Sequence, residues 1–235
     1  MPDTASVSIT YFSDLLCIWA YAAQARLDEV RRRFADRVSV SVRFCPIFGD
    51  TARRIGEGWR ERGGYDGFNA HLREVAGQFD HIAVHPRVWL DARPVSSAGA
   101  HLYVKAAQLA EARLGLASEA RGGVAQSPSD RLAWALRLAF FRDCKDLARR
   151  EVQDEAARAL GLPVEAIAGE IASGRAYAAL CADLEARDAL KIEGSPTFVL
   201  NDGRQKLYGN VGYRVIEANI QELLRAPEAG QASWC

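Results

Sequence analysis

The residue best suited to covalent chemistry is Cys17, set in Val7-Ser-Ile-Thr-Tyr-Phe-Ser-Asp-Leu-Leu-Cys-Ile-Trp-Ala-Tyr21, where a strand pattern ends and a helix pattern begins. A sulfur at a helix start faces the first free amides of that helix, whose partial positive charge favours thiolate over thiol. The expectation is a reactive thiol, more acidic than an ordinary cysteine. A redox dithiol would carry its second cysteine three residues on, where this chain has Ala20. Cys17 therefore lacks a local resolving partner. The alternative for any free cysteine is a small buried hydrophobe at the helix start.

Neighbours of Cys17 extend the candidate site. Asp14 is placed to cap the helix or to relay a proton, and a carboxylate close to the sulfur would oppose its ionisation. Trp19 and Tyr21 flank the nucleophile, where a ring either contacts substrate or packs between helix and sheet. Far along the chain, Gly194-Ser195-Pro196-Thr-Phe198 precedes a strand and taken alone is an ordinary turn. His81 and His85 have a spacing that suits a metal on a helix, but Pro86 follows at once, so a loop without metal is expected. Cys144 and Cys181 fall within apolar helical patterns and are read as core residues, and Cys45, just before Pro46, as redox-silent. Cys235 ends a loose tail, Pro227 to Ser233 followed by Trp234-Cys235, and is the candidate distant resolving thiol or, under oxidation, a link to a second copy in a homodimer.

The elements that must position these residues follow from periodicity. Val7 to Phe12 reads as a strand, Cys17 to Phe34 as an alanine-rich amphipathic helix, and Val38 to Cys45 as a second strand with Val38, Val40, Val42 and Phe44 on one face. This is a parallel βαβ opening with a right-handed crossover. Between Pro46 and Leu190 the strand signal disappears. That stretch holds a Gly- and Arg-rich connector (56–67), a loop around His85-Pro86 and Arg93-Pro94, and helical patterns over 96–116, 129–141, 147–160 and 164–190. Strand character returns in Thr197 to Leu200. The turn Asn201-Asp-Gly203 leads into Lys206 to Tyr208, and a helix from Tyr213 to Leu224 follows. The predicted fold is α/β, with residues 1–47 and 191–235 forming one domain and residues 48–190 an inserted helical domain.

Composition excludes several classes of function. With 235 residues, 49% of them hydrophobic and 26% charged, the chain is long enough to bury a core and is not of disordered type. Lys plus Arg and Asp plus Glu each number 30, so nothing points to nucleic acid as a partner. The opening Met1-Pro-Asp-Thr-Ala-Ser lacks a basic or apolar leader, and no stretch is apolar enough to span a membrane, so a cytoplasmic protein is expected. Five scattered cysteines argue against a disulfide framework.

The element order, with Phe12-Ser-Asp-Leu-Leu-Cys17-Ile-Trp-Ala-Tyr21 at the first βα junction and Gly194-Ser-Pro-Thr-Phe198 before the hairpin, resembles the DsbA-like branch of the thioredoxin superfamily over nearly the whole chain. Members usually read Cys-Pro-Trp-Cys at the first motif and carry a cis proline at the second. The resemblance implies a thioredoxin fold, Cys17 as nucleophile, and Pro196 as the cis proline, with Ser195 offering its backbone to substrate. Trp19, Ser195, Pro196 and Asp14 are then the expected substrate-binding residues. Ile18 and Ala20 depart from the usual motif, which puts two-cysteine exchange in doubt. Related branches include FrnE-like oxidoreductases, kappa-class glutathione transferases and 2-hydroxychromene-2-carboxylate isomerases. By likeness to the kappa type, Asn210, Tyr213 and Arg214 would grip glutathione. The implied activity is monothiol disulfide exchange on a protein disulfide or small electrophile, with glutathione as cosubstrate and no tightly bound cofactor. A glutathione-dependent isomerase or transferase, and a noncatalytic peptide-binding module, are the alternatives.

Overall fold

The computed structural model describes residues 6–121 and 123–225. In chain order the elements are β1 (Val7–Ser13), α1 (Ile18–Phe34), β2 (Val38–Phe44), α2 (Gly64–Ala76), α3 (Ala98–Leu114), β3 (Glu119–Arg121), β4 (Val124–Gln126), α4 (Pro128–Phe141), α5 (Arg150–Ala159), α6 (Val164–Ala172), α7 (Arg175–Ala189), β5 (Thr197–Leu200), β6 (Gln205–Tyr208) and α8 (Tyr213–Arg225). The four-stranded sheet runs β2-β1-β5-β6. β1 pairs in parallel with β2 from Val7↔Val38 to Ser13↔Phe44 and antiparallel with β5, where Phe12 faces Thr197. The apolar run of β1 suits this central place, because from Tyr11 to Ser13 every residue is buried.

Two core layers meet at that sheet. One packs Ile216, Ile220 and Leu223 of α8, spaced for one helical face, against Val7, Ile9 and Tyr11 of β1 and Leu27 and Val30 of α1. The larger one joins Leu15, Cys17 and Tyr21 to Tyr103 of α3 and Leu136, Phe140 and Phe141 of α4. The helical block and the first turn of α1 thus share one hydrophobic core, so the floor of any site at Cys17 is built partly from residues more than a hundred positions away.

Three elements differ from the sequence reading. The connector over 56–67 is ordered: a π-helical turn (Ala52–Glu57), a 3₁₀ turn (Arg60–Arg62) and the start of α2, which buries Asn69, Leu72 and Val75. Two of its glycines allow close backbone approach, since a Cβ on Gly58 would lie 2.5 Å from the Arg54 carbonyl oxygen and one on Gly67 1.7 Å from that of Arg62. The pattern over 164–190 is two helices, broken at Gly174, whose φ of 80° favours glycine. A short hairpin, β3–β4, stands where no strand was expected; its three-residue strands are too brief for period-two alternation to register.

Candidate active site

The turn between β1 and α1 places the sulfur. Cys17 N–H donates to the Asp14 carbonyl (3.2 Å), and Cys17, in extended conformation, is the N-cap of α1 with no side-chain cap bond. Pairing of β1 with β5 then brings residues 194–196 alongside. The Ser195–Pro196 peptide bond is cis, and Cys17 Sγ donates to the Ser195 carbonyl oxygen at 3.1 Å. Ser195 Oγ accepts the Asp14 amide (2.9 Å), so Ser195 holds both ends of the motif.

Asp14, expected to bind substrate, is fully buried and is not part of the wall of the cavity beside Cys17. It accepts Leu16 N–H on Oδ1 (2.8 Å), and Phe48 N–H (2.9 Å) and Ser97 Oγ–H (2.8 Å) on Oδ2. It therefore ties the active turn to the loop after β2 and to the start of α3. His101, stacked on Phe44, lies 3.4 Å from Oδ1 and accepts Leu15 N–H at 3.1 Å. Burial alone would raise the Asp14 pKa, but His101 and the amides of Phe48 and Leu16 outweigh it and hold the carboxyl below its ordinary range.

Cys17 is not the acidic thiol that its helix position suggested. Burial raises its pKa above the ordinary cysteine value, and the Asp14 carboxylate pushes the same way. The amides of Ala20 and Trp19 and the hydroxyl-bearing Ser195 pull it down, so the helix mouth acts as anticipated but is outweighed. At rest the sulfur is a thiol, donating to Ser195.

A cation that the sequence reading passed over lies beneath it. Arg137 of α4 is 3% exposed, donates from Nη2 to Ser13 Oγ at 2.6 Å, and has no carboxylate in ion-pair contact among the described residues. Desolvation lowers its pKa, whereas Tyr11, Cys17 and Asp14 favour its charge. An arginine between Ala133 and Phe141 on one buried helical stripe was the available signal.

Cys17 is only 6% exposed, but it forms part of the wall of a cavity of about 470 Å³. Trp19 and Ser195 share that wall, while Pro196 and Tyr21 are buried and do not line it. Tyr21 stacks instead on Phe141. Facing residues come from the segment 52–76: Arg54, over the Phe48 ring at 4.9 Å, and Arg62, over the Trp59 ring at 3.9 Å, with His71 beside Trp59. Glu193, Gly194 and Tyr208 complete the rim. The run of arginines around Trp59 carried the signal for this wall, but without a predicted element it had no address.

The other expected residues lie apart. Asn210 accepts from Arg26 at 2.6 Å, Tyr213 packs against the α8 core, and Arg214 is exposed; none lines the cavity. Cys45 is buried, with its thiol pushed up to about 12 by desolvation and then by Asp14. One thiol departs from the core role expected of it: Cys181 is exposed, whereas Cys144, half-buried in the turn after α4 with φ of 54°, packs against the larger core. The apolar periodicity around Cys181 misled because α7 buries only Ala176 and Asp183 fully. His81 and His85 bond to backbone, at Ala22 O and Arg87 N. Cys235 lies outside the described residues.

A βαβ unit and a ββα unit joined through a helical block, with a cysteine at the first helix mouth against a cis-prolyl bond, define a thioredoxin-fold protein. The model of the DSBA-like thioredoxin domain matches residues 8–221, and the chain belongs to that family. No curated protein matches the sequence. Among solved structures, a probable DsbA oxidoreductase of Streptomyces coelicolor is 21% identical with a TM-score of 0.70, covering 96% of this chain and 93% of its own. The cytosolic disulfide reductase DsbM of Pseudomonas aeruginosa is 20% identical with a TM-score of 0.63, covering 91% and 98%, and has also been solved with GSH. A 2-hydroxychromene-2-carboxylate isomerase is 15% identical with a TM-score of 0.60, covering 94% and 97%. These likenesses are of fold. Among the described residues no helix is long and apolar enough to cross a membrane.

Proposed function

We propose that this protein is a cytoplasmic single-cysteine thiol–disulfide oxidoreductase that exchanges disulfides with glutathione at Cys17. The observation that carries the reading is the Cys17 sulfur on a cavity wall, 3.1 Å from the Ser195 carbonyl at the cis proline, with alanine at the position of a resolving cysteine. Cys17 loses its proton as substrate enters, and the Trp19 and Ala20 amides and the buried Arg137 charge stabilise the thiolate. The thiolate attacks the glutathione sulfur of a mixed disulfide. The old S–S bond breaks, the substrate thiolate leaves and is protonated, and Cys17 carries glutathione. A second glutathione thiolate attacks that sulfur, releasing oxidised glutathione and restoring Cys17. The description of the Pseudomonas neighbour as a disulfide reductase, and its structure with GSH, support this direction.

Intact mass after incubation with oxidised glutathione tests the mechanism. One glutathionyl adduct is expected on the wild type and none at that site on Cys17→Ser; no adduct on the wild type refutes it. The rings of Phe48, Trp59 and Phe68 in the cavity favour a second reading, glutathione-dependent isomerisation or transfer on an aromatic substrate. Noncovalent glutathione binding that survives Cys17→Ser, without an adduct on the wild type, distinguishes it.

A further inference from the structure

Arg54 and Arg62 stand out in the cavity because their charges are unspent. Both are exposed, neither forms an ion pair among the described residues, and each guanidinium carbon sits over an aromatic ring, Phe48 at 4.9 Å and Trp59 at 3.9 Å. A guanidinium held over a ring keeps N–H donors for an anion, and a carboxylate fits its fork with two parallel hydrogen bonds. His71 lies beside Trp59 on the same wall, the two rings tilted at 34° with centroids 5.1 Å apart. Among the described residues one carboxylate lines the cavity, Glu193, two residues before Ser195. The cavity is thus polarised: guanidinium groups come from the segment after β2, and a single acid from the strip of chain that carries the cis proline.

We infer that Arg54 and Arg62 form a carboxylate-reading wall that makes Cys17 selective for disulfides whose small-thiol half is anionic. This rests on the disulfide-exchange reading and names its substrate class: compact thiols with carboxylates for the arginines and an ammonium for Glu193. The volume of about 470 Å³ suits such a molecule rather than a folded protein chain. Protein disulfides that lack a carboxylate-bearing small thiol are disfavoured.

The test compares three disulfides of different charge as substrates for adduct formation at Cys17: oxidised glutathione (anionic), bis(2-hydroxyethyl) disulfide (neutral) and cystamine (cationic). Wild type is expected to prefer oxidised glutathione, and the preference to weaken with added salt. Arg54→Gln and Arg62→Gln should each lower the ratio of its rate to that of the neutral disulfide by about tenfold, the effect of losing one charged hydrogen-bonded pair. In the double variant cystamine should gain on oxidised glutathione. Circular dichroism confirms that the variants are folded. A wild type that reacts with all three alike, or variants that keep the wild-type ratio, overturns the arginine wall and leaves monothiol exchange standing. A wild type that reacts with none overturns both.

Discussion

Replacing Asp14 with alanine removes the acceptor on which three elements converge. The amides of Leu16 and Phe48 and the hydroxyl of Ser97, held at 2.8 to 2.9 Å, lose their partner in a fully buried place. An unsatisfied buried donor costs about 1 to 3 kcal/mol. The Ser97 hydroxyl can rotate and admitted water can satisfy one amide, so a net loss of about 3 to 5 kcal/mol is expected. For a chain of this size that lowers Tm by about 10 °C or more, readable by calorimetry. Asp14→Asn keeps the shape but turns an NH₂ toward a donor, and should lose less. The same substitution has an opposite effect on chemistry. Asp14 pushes the Cys17 thiol up, so in folded Asp14→Asn the alkylation of Cys17 by iodoacetamide at neutral pH should be several-fold faster. Acid behaviour follows from the sign of the Asp14 shift. Its folded pKa lies below the ordinary value of 3.8, so its contribution is complete above that value and disappears as pH falls through the folded one. Wild type should therefore lose its stability advantage over Asp14→Asn below about pH 4. Slower alkylation in Asp14→Asn would refute the electrostatic argument and make Asp14 a proton relay; an unchanged Tm in Asp14→Ala would refute its structural place.

Arg137→Met replaces an unpaired buried charge by an apolar chain of similar length, so stability should hold or rise by about 1 kcal/mol, while Cys17 alkylation slows and Arg137→Lys recovers most of it. Marked destabilisation with unchanged alkylation would sink that assignment. Gly194→Ala would put a Cβ 2.7 Å from the Tyr208 hydroxyl, and because Tyr208 is exposed its ring should swing aside. Tm should move little while adduct formation at Cys17 changes; a collapse in stability would show that Tyr208 is held. In a thiol map of the native protein, exposed Cys181 should label first and Cys45, its thiol pushed up to about 12, should stay silent until unfolding. Early labelling of Cys45 would contradict its burial.

Legibility in the sequence followed the range of the interactions. The strand-to-helix junction at Cys17, the alternation of β2, the Asp-Gly hairpin and the Ser127-Pro128 helix start are local signals, and each produces its element in place, with Ser127 Oγ accepting Asp130 N–H at 3.1 Å. The segment 52–76 was illegible because glycines read locally as breakers, whereas Gly58 and Gly67 are there required by close backbone contacts. Its arginines and Trp59 consequently went unplaced, although Arg54, Trp59 and Arg62 line the cavity.

What the chain alone determined was a cysteine at the first helix mouth as the candidate nucleophile, with alanine three residues on, and the βαβ and ββα units on either side of a helical block. Those depend on neighbours within a few residues. Only the tertiary structure decided the state of the sulfur. Its hydrogen-bond acceptor lies 178 residues away, and the serine that meets the buried Arg137 lies 124 residues before it. Helix-mouth amides are a local field that sequence can reveal. Desolvation and the approach of Asp14 and Arg137 arise only when distant segments pack, and here burial reverses the acidity that the local field would have produced.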